Sequence, residues 1–310
     1  MEFSSADDRL LATHSPQAAA IVQLFESTLV ICGVIFLIVV GLVAFCVWHF
    51  RARGVKEPAQ TEGNRKLEVA WTLVPVGVLV WLLVLTSRAM AVADPPVDRV
   101  PDLTIVAHQW WWEARYPSGA VTANEIHIPT GRALVVQVLS EDVVHDFWVP
   151  ALGRKVDAIP GRATNIWLEA DDPGLYLGTC AEFCGAQHAW MRIRVIAEAP
   201  HDFTVWEQRA AAPAPPPVTA PATRGLATFR AKACIGCHAI RGVSTARTAP
   251  DLTRLAERAT LGAGVIDNSP AELERWLKDP QKIKAGCHMP NAKLSDDALS
   301  DVVAYLETLK

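Results

Sequence analysis

Two short stretches carry the side chains able to hold redox metals. The first is Cys180-Ala-Glu-Phe-Cys184-Gly-Ala-Gln-His188-Ala-Trp-Met191, which packs two thiols, an imidazole and a thioether into 12 residues. His145 lies 35 residues upstream. Thiolate and thioether ligands select copper and other soft metals, and imidazole suits copper as well. One His, one Cys and one Met would describe a mononuclear blue-copper site. The second Cys and second His allow another arrangement: two thiolates bridging two metals, with one His terminating each. Met191 and a backbone carbonyl, that of Glu182, complete the shells. Such a site suits a one-electron relay rather than bond chemistry. A Cys180–Cys184 disulfide, a structural zinc site and an ordinary core role for His145 remain open on spacing alone.

The second stretch is Cys234-Ile-Gly-Cys237-His238, the Cys-x-x-Cys-His pattern of c-type haem attachment. The two thiols form thioethers to the haem, and His238 supplies one axial ligand. A Cys-x-x-Cys redox pair is the rival reading. The distal ligand is expected about 50 residues on, where Gly286-Cys-His-Met289-Pro290 stands; Met289 is the only Met after the linker. His288 competes for that role, and Cys287 less strongly.

These residues need elements to position them. The chain has 310 residues, 51% hydrophobic and 20% charged, against roughly 25% charged in an average soluble chain. Disorder is excluded and membrane segments are expected. The net charge of −4 argues against a nucleic-acid partner, and the odd count of 7 Cys against a disulfide framework. Leu29–Trp48 and Val69–Ser87 are uncharged apolar runs of 20 and 19 residues, each long enough at ~1.5 Å per residue to cross a bilayer core. Their connector holds Arg51, Arg53, Lys56, Arg65 and Lys66 against Glu57 and Glu62. The segment before the first run holds Arg9 against Glu2, Asp7, Asp8 and Glu26. The positive-inside rule then places the connector in the cytoplasm and both termini outside, with no cleaved signal peptide expected. The spans are expected at about 29–48 and 69–88 within an N-terminal segment covering 1–90.

Ala210–Thr223, with five Pro and six Ala in 14 residues, reads as a semi-rigid linker within 207–224. It separates a strand-like region, 91–206, from a helical region, 225–310. Strands are expected at Leu103–Val106, Glu125–Ile128, Leu134–Leu139, Asn165–Leu168 and Arg192–Ile196, giving an all-β sandwich or barrel with His145 just after a strand. Helices are expected over Gly225–Ala233, over Ala271–Lys278 opened by Pro270, and over Ala298–Leu309 capped by Ser295. The strand-like region has a net charge of −7 and the helical region +2, so the two could attract one another.

The motif around Cys180 resembles the dinuclear CuA site of cytochrome c oxidase subunit II. Ser140-Glu-Asp-Val-Val-His145-Asp-Phe-Trp-Val-Pro150, Lys155–Arg162, His108-Gln-Trp-Trp-Trp112 and Glu68-Val-Ala-Trp71-Thr72-Leu-Val-Pro75 resemble the same family. The resemblance covers roughly residues 20–206 and implies a cupredoxin-like Greek-key β domain on a two-helix transmembrane hairpin. It implies copper on His145, Cys180, the Glu182 carbonyl, Cys184, His188 and Met191, and magnesium on the Glu182 side chain at the interface with the catalytic subunit. Trp110 resembles the aromatic where electrons enter, and Glu68 the acid at the mouth of a proton channel. Trp111 stands where the family usually has Tyr. The C-terminal region resembles class I cytochromes c, as fused to subunit II in bacterial caa-type oxidases.

The resemblance therefore implies a subunit that receives electrons at haem c and passes them through copper to subunit I, which carries haem a, haem a3 and CuB, with further oxidase subunits alongside. The donor would be a cytochrome c or a bc1-type complex, and the site a bacterial plasma membrane with both soluble domains outside. The haem domain is expected to pack near Trp110. The alternatives are the corresponding subunit of a nitric-oxide reductase and a freestanding electron carrier or copper-delivery protein.

Overall fold

A computed structural model describes residues 11–51, 62–94 and 99–310. The charge-topology residues Glu2, Asp7, Asp8, Arg9, Arg53, Lys56 and Glu57 lie outside them. The chain forms two compact units, one of residues 19–95 and the other of the remainder.

The smaller unit is built from helix α1 (Pro16–His49) and helix α2 (Arg65–Ala93), both longer than the apolar runs that mark them. Their lengths and apolar compositions suffice to cross a membrane. Leu37, Val47, Leu79 and Leu83 are exposed, a surface that lipid rather than water would solvate. Asn64 caps α2 by accepting from the Lys66 and Leu67 amides. Glu68 sits exposed in the first turn, where a carboxylate favours the helix dipole.

The larger unit begins with a sandwich of two five-stranded sheets. One sheet is ordered β3-β2-β1-β5-β8, with β1 Leu103–His108, β2 Trp111–Arg115, β3 Val121–Ala123, β5 Leu134–Ser140 and β8 Thr164–Leu168. The other is β4-β10-β9-β6-β7, with β4 Glu125–Pro129, β6 His145–Trp148, β7 Val156–Ala158, β9 Gly174–Cys180 and β10 Arg192–Glu198. Neighbours are antiparallel except β1 with β5 and β4 with β10, the parallel crossover pairs of a cupredoxin-like topology. Ile105, Val136, Val138, Ile126, Ile193 and Phe147 fill the space between the sheets. All five expected segments lie in strands. Five further strands complete the sheets, and His145, a few residues after β5, opens β6.

Helix α3 (Pro200–Ala210) carries the chain out of the sandwich, its Trp206 stacked on His127. It occupies the first stretch of the segment expected to be linker. Helix α4 (Ala220–Ala231) takes the last stretch, because Thr219 accepts from the Ala222 amide and Pro221 suits a helix start. Only 211–219 separate the two helices.

The C-terminal domain is helical. A single turn, α5 (Cys234–Cys237), follows α4; then come α6 (Pro270–Lys278), α7 (Pro280–Ile283) and α8 (Asp296–Leu306). Ser269 and Ser295 cap α6 and α8. Helices α4 and α8 cross at Gly225, where a Cβ would fall 2.0 Å from the Asp301 carbonyl oxygen, so only glycine permits the contact. Phe229, Leu299, Val302, Tyr305 and Leu306 seal that crossing.

Candidate metal centre and its neighbourhood

The ends of three neighbouring strands build the first cluster. His145 opens β6, Cys180 closes β9, and Met191 immediately precedes β10. The ladder pairing Phe147 with Cys180 sets the first two side by side. The β9–β10 loop supplies Cys184, and the single turn His188–Trp190 supplies His188.

The donor atoms converge. Cys180 Sγ lies 3.8 Å from Cys184 Sγ, 3.9 Å from His145 Nδ1 and 3.2 Å from the Glu182 carbonyl oxygen. Cys184 Sγ lies 3.6 Å from His188 Nδ1 and 3.9 Å from Met191 Sδ. His145, Cys180, Cys184 and Met191 are buried and His188 partly so. Among the described residues, His145, Cys180 and Cys184 form the one group of His, Cys or acidic side chains close enough to share a metal ion. The Cys184 thiol hydrogen-bonds Cys180 and, with His145, holds it well below the usual thiol range; the Cys180 thiolate in turn pushes Cys184 up. A metal held here would need both thiols deprotonated.

Surrounding groups fix the donors. Asp142 accepts from His145 Nε2 at 2.7 Å and from the Val143 and Gln109 amides at 2.6 Å each, which turns His145 Nδ1 toward the thiols. Burial alone would raise the Asp142 pKa, but these hydrogen bonds outweigh it and hold it below the carboxylate norm. The Cys184 carbonyl accepts from Gln109 Nε2 at 2.8 Å and from Trp110 Nε1 at 3.0 Å. Gly185, at a φ of +115°, sits so near the Trp110 ring that a Cβ would be 3.1 Å away. Glu182 and Phe183 are exposed at the rim of the cluster.

The haem-motif residues are arranged differently. Cys234 and Cys237 sit one turn apart on α5, half-buried and exposed respectively. His238 Nδ1 donates to the Pro250 carbonyl at 2.8 Å, which leaves Nε2 free to ligate. Burial lowers the His238 pKa and favours the neutral ring that a metal needs. The Met289 segment is braced by Gln281, whose amide donates to the Cys287 and Met289 carbonyls and accepts from the Gly286 amide. Nothing in the sequence pattern singles out Gln281.

That segment meets the copper-type cluster. The His288 ring packs 5.0 Å from the Trp110 ring, and Gln187 donates to the Ala285 carbonyl. Trp111 is buried against Ala263 of the helical domain and stacks on His108 at 4.2 Å. Glu125 accepts from the Ala259 and Thr260 amides and the Thr260 hydroxyl. Arg192 donates to the Gly264 carbonyl at 3.1 Å.

Comparison with known proteins bears on all three regions. Family models match for "Cytochrome C oxidase subunit II, transmembrane domain" over residues 7–88, its "periplasmic domain" over 118–198, and "Cytochrome c" over 222–310. Cytochrome c oxidase subunit 2 of Alkalihalophilus pseudofirmus is 35% identical over 97% of this chain and 90% of its own length. That of Bacillus sp. strain PS3 is 34% identical over 84% of this chain and 80% of its own. Among solved structures, the periplasmic domain of subunit II of the Bradyrhizobium japonicum cytochrome oxidase is 33% identical, with a TM-score of 0.35, over 37% of this chain and 96% of that one.

Proposed function

The chain belongs to the cytochrome c oxidase subunit II family, and on that premise we propose that it is where electrons enter a haem–copper terminal oxidase: received at haem c, passed to a dinuclear copper centre, and delivered to the catalytic partner that reduces O2 to water and pumps protons. Membership itself brings a membrane-anchored subunit, a copper-type β domain, a cytochrome c domain and a subunit I partner. The relatives are subunits of an oxidoreductase.

The convergence of two thiols, two imidazoles and a thioether on one point is the observation that carries this reading. Copper and haem, when bound, supply one-electron couples whose ligand sets need little rearrangement. Cys180, Cys184, His145, His188, Met191 and the Glu182 carbonyl would hold the two coppers. Cys234, Cys237, His238 and Met289 would hold the haem, the two cysteines covalently. Trp110 links the two regions through its indole hydrogen bond to the Cys184 carbonyl and its ring contact with His288, next to Met289. The Glu182 carboxylate would serve magnesium at the face toward the catalytic subunit. Glu68 would stand at the mouth of a proton channel in that subunit. The donor is a cytochrome c or a bc1-type complex, and the soluble domains and both termini lie outside a bacterial plasma membrane.

The test is metal and optical analysis of the full chain matured with haem and copper. Two coppers, one covalent haem and a mixed-valence near-infrared band per chain are expected. One copper with intense blue absorption, or zinc, would overturn the dinuclear assignment.

A further inference from the structure

Lys284 lies on the helical domain just after α7 and is only 5% exposed. Its ammonium donates to three backbone carbonyls: Trp190 at 2.9 Å and Trp110 at 3.0 Å on the β domain, and Gly262 at 2.9 Å on its own. An ammonium has three donors, and here all three are used. Two of the acceptors belong to functionally placed residues. Trp110 carries the contact to Cys184, and Trp190 directly precedes Met191.

From this geometry we propose that Lys284 is a positioning residue that bolts the cytochrome domain onto the Trp110 face of the copper domain, so that electrons cross from a fixed rather than a merely tethered arrangement. The proposal rests on the function proposed above and adds a residue to it. Burial pulls the Lys284 pKa down to about 8, still above neutrality, and the three carbonyls favour the charged form. The neighbouring contacts point the same way. Glu125 holds the Ala259–Thr260 turn, Arg192 holds Gly264 and Gln187 holds Ala285, so the carbonyls that Lys284 gathers sit among other cross-domain hydrogen bonds. A tether alone gives an effective concentration of order mM and leaves orientation free. Two hydrogen bonds from a buried cation to the β domain, with the third fixing the cation to its own, set orientation as well. The planar guanidinium of arginine does not reproduce a tripod of donors.

The experiment compares the wild-type full chain with Lys284→Met and Lys284→Arg. Hydrogen–deuterium exchange of peptides covering 184–191 and 259–265 needs neither metal nor haem loading. Faster exchange in both peptides is expected for Lys284→Met, and also for Lys284→Arg; rescue by Arg would mean that charge, not the tripod, matters and would overturn the proposal. In the loaded chain, haem-to-copper transfer after rapid reduction should slow at least tenfold in Lys284→Met while the copper and haem spectra persist. If Lys284→Met does not load copper, Lys284→Gln, which keeps two amide donors, replaces it in the transfer measurement, with slowed transfer expected. Unchanged exchange and an unchanged rate would discard the bolt. A wild type that shows no haem-to-copper transfer would instead discard the function proposed above.

Discussion

The β9–β10 loop and the Cys234–Met289 stretch both gather metal-binding side chains, but they do so in opposite ways. In the loop, the donors touch one another, sit at the ends of three hydrogen-bonded strands, and are mostly buried. In the cytochrome domain, the four candidate ligands are spread over 56 residues, and Cys237 is exposed. There each is held separately: His238 by the Pro250 carbonyl, Met289 by Gln281. A metal ion is small, so a protein must bring its donors into contact. Haem is a large apolar body, so its ligands need only be set around it, and it completes the packing itself. The β domain should therefore hold its shape on its own contacts, and the cytochrome domain should lean on its cofactor.

The sharpest way to break this contrast is to prevent haem attachment. Cys234→Ser with Cys237→Ser should abolish covalent haem on a denaturing gel and lower the melting temperature of the cytochrome domain, while the near-infrared copper band survives. Loss of that band as well would mean that the β domain also depends on haem. Met191→Ala tests the other side. Met191 is fully buried, so truncation should destabilise the β domain by roughly 2–5 kcal/mol in denaturant titration even before copper is added. A change well below that would show that copper, not packing, orders the loop.

Asp142→Asn sharpens the account of how donors are held. Weakened orientation of His145 should cost about 10–100-fold in copper affinity, measured by competition with a chelator. The smallest expected effect concerns Glu113, buried in β2 beside His108 and Arg115. Burial raises its pKa, but the His108 and Arg115 hydrogen bonds outweigh this, so its net shift is downward. A carboxylate with a depressed folded pKa contributes stability above its unfolded value, about 4.3, and loses it as pH falls through the folded value. Glu113→Gln should thus lower stability at neutral pH, leave it nearly unchanged below the folded value, and so flatten the acid side of the stability–pH curve.

Some regions are legible in the sequence for reasons that now have physical form. The copper-type donors are close in sequence because one loop between two paired strands carries most of them, and His145 is joined by a ladder. Strand β9 is hard to read because Gly174 and Gly178 weaken its strand signal, although Gly178 lets β6 approach: a Cβ there would sit 2.4 Å from the Trp148 carbonyl. Strand β2 is masked by Glu113, a charge inside a buried strand. The contacts between domains are illegible because they join residues far apart in sequence, and Lys284 to Trp110 spans 174 positions. Opposite net charges suggest attraction between the domains, yet much of the contact is made by side chains on backbone carbonyls and amides, which composition does not record.

The continuity of the chain through 211–219 has a consequence for how the protein is supplied to the cell. Because one chain holds both domains, a ribosome that finishes the copper-type domain goes on to make its cytochrome. Their ratio is set at translation and needs no matched expression of two genes. Only the separate delivery of copper and of haem can then leave one half loaded and the other not, which makes cofactor supply, rather than protein synthesis, the point at which the two halves can fall out of step.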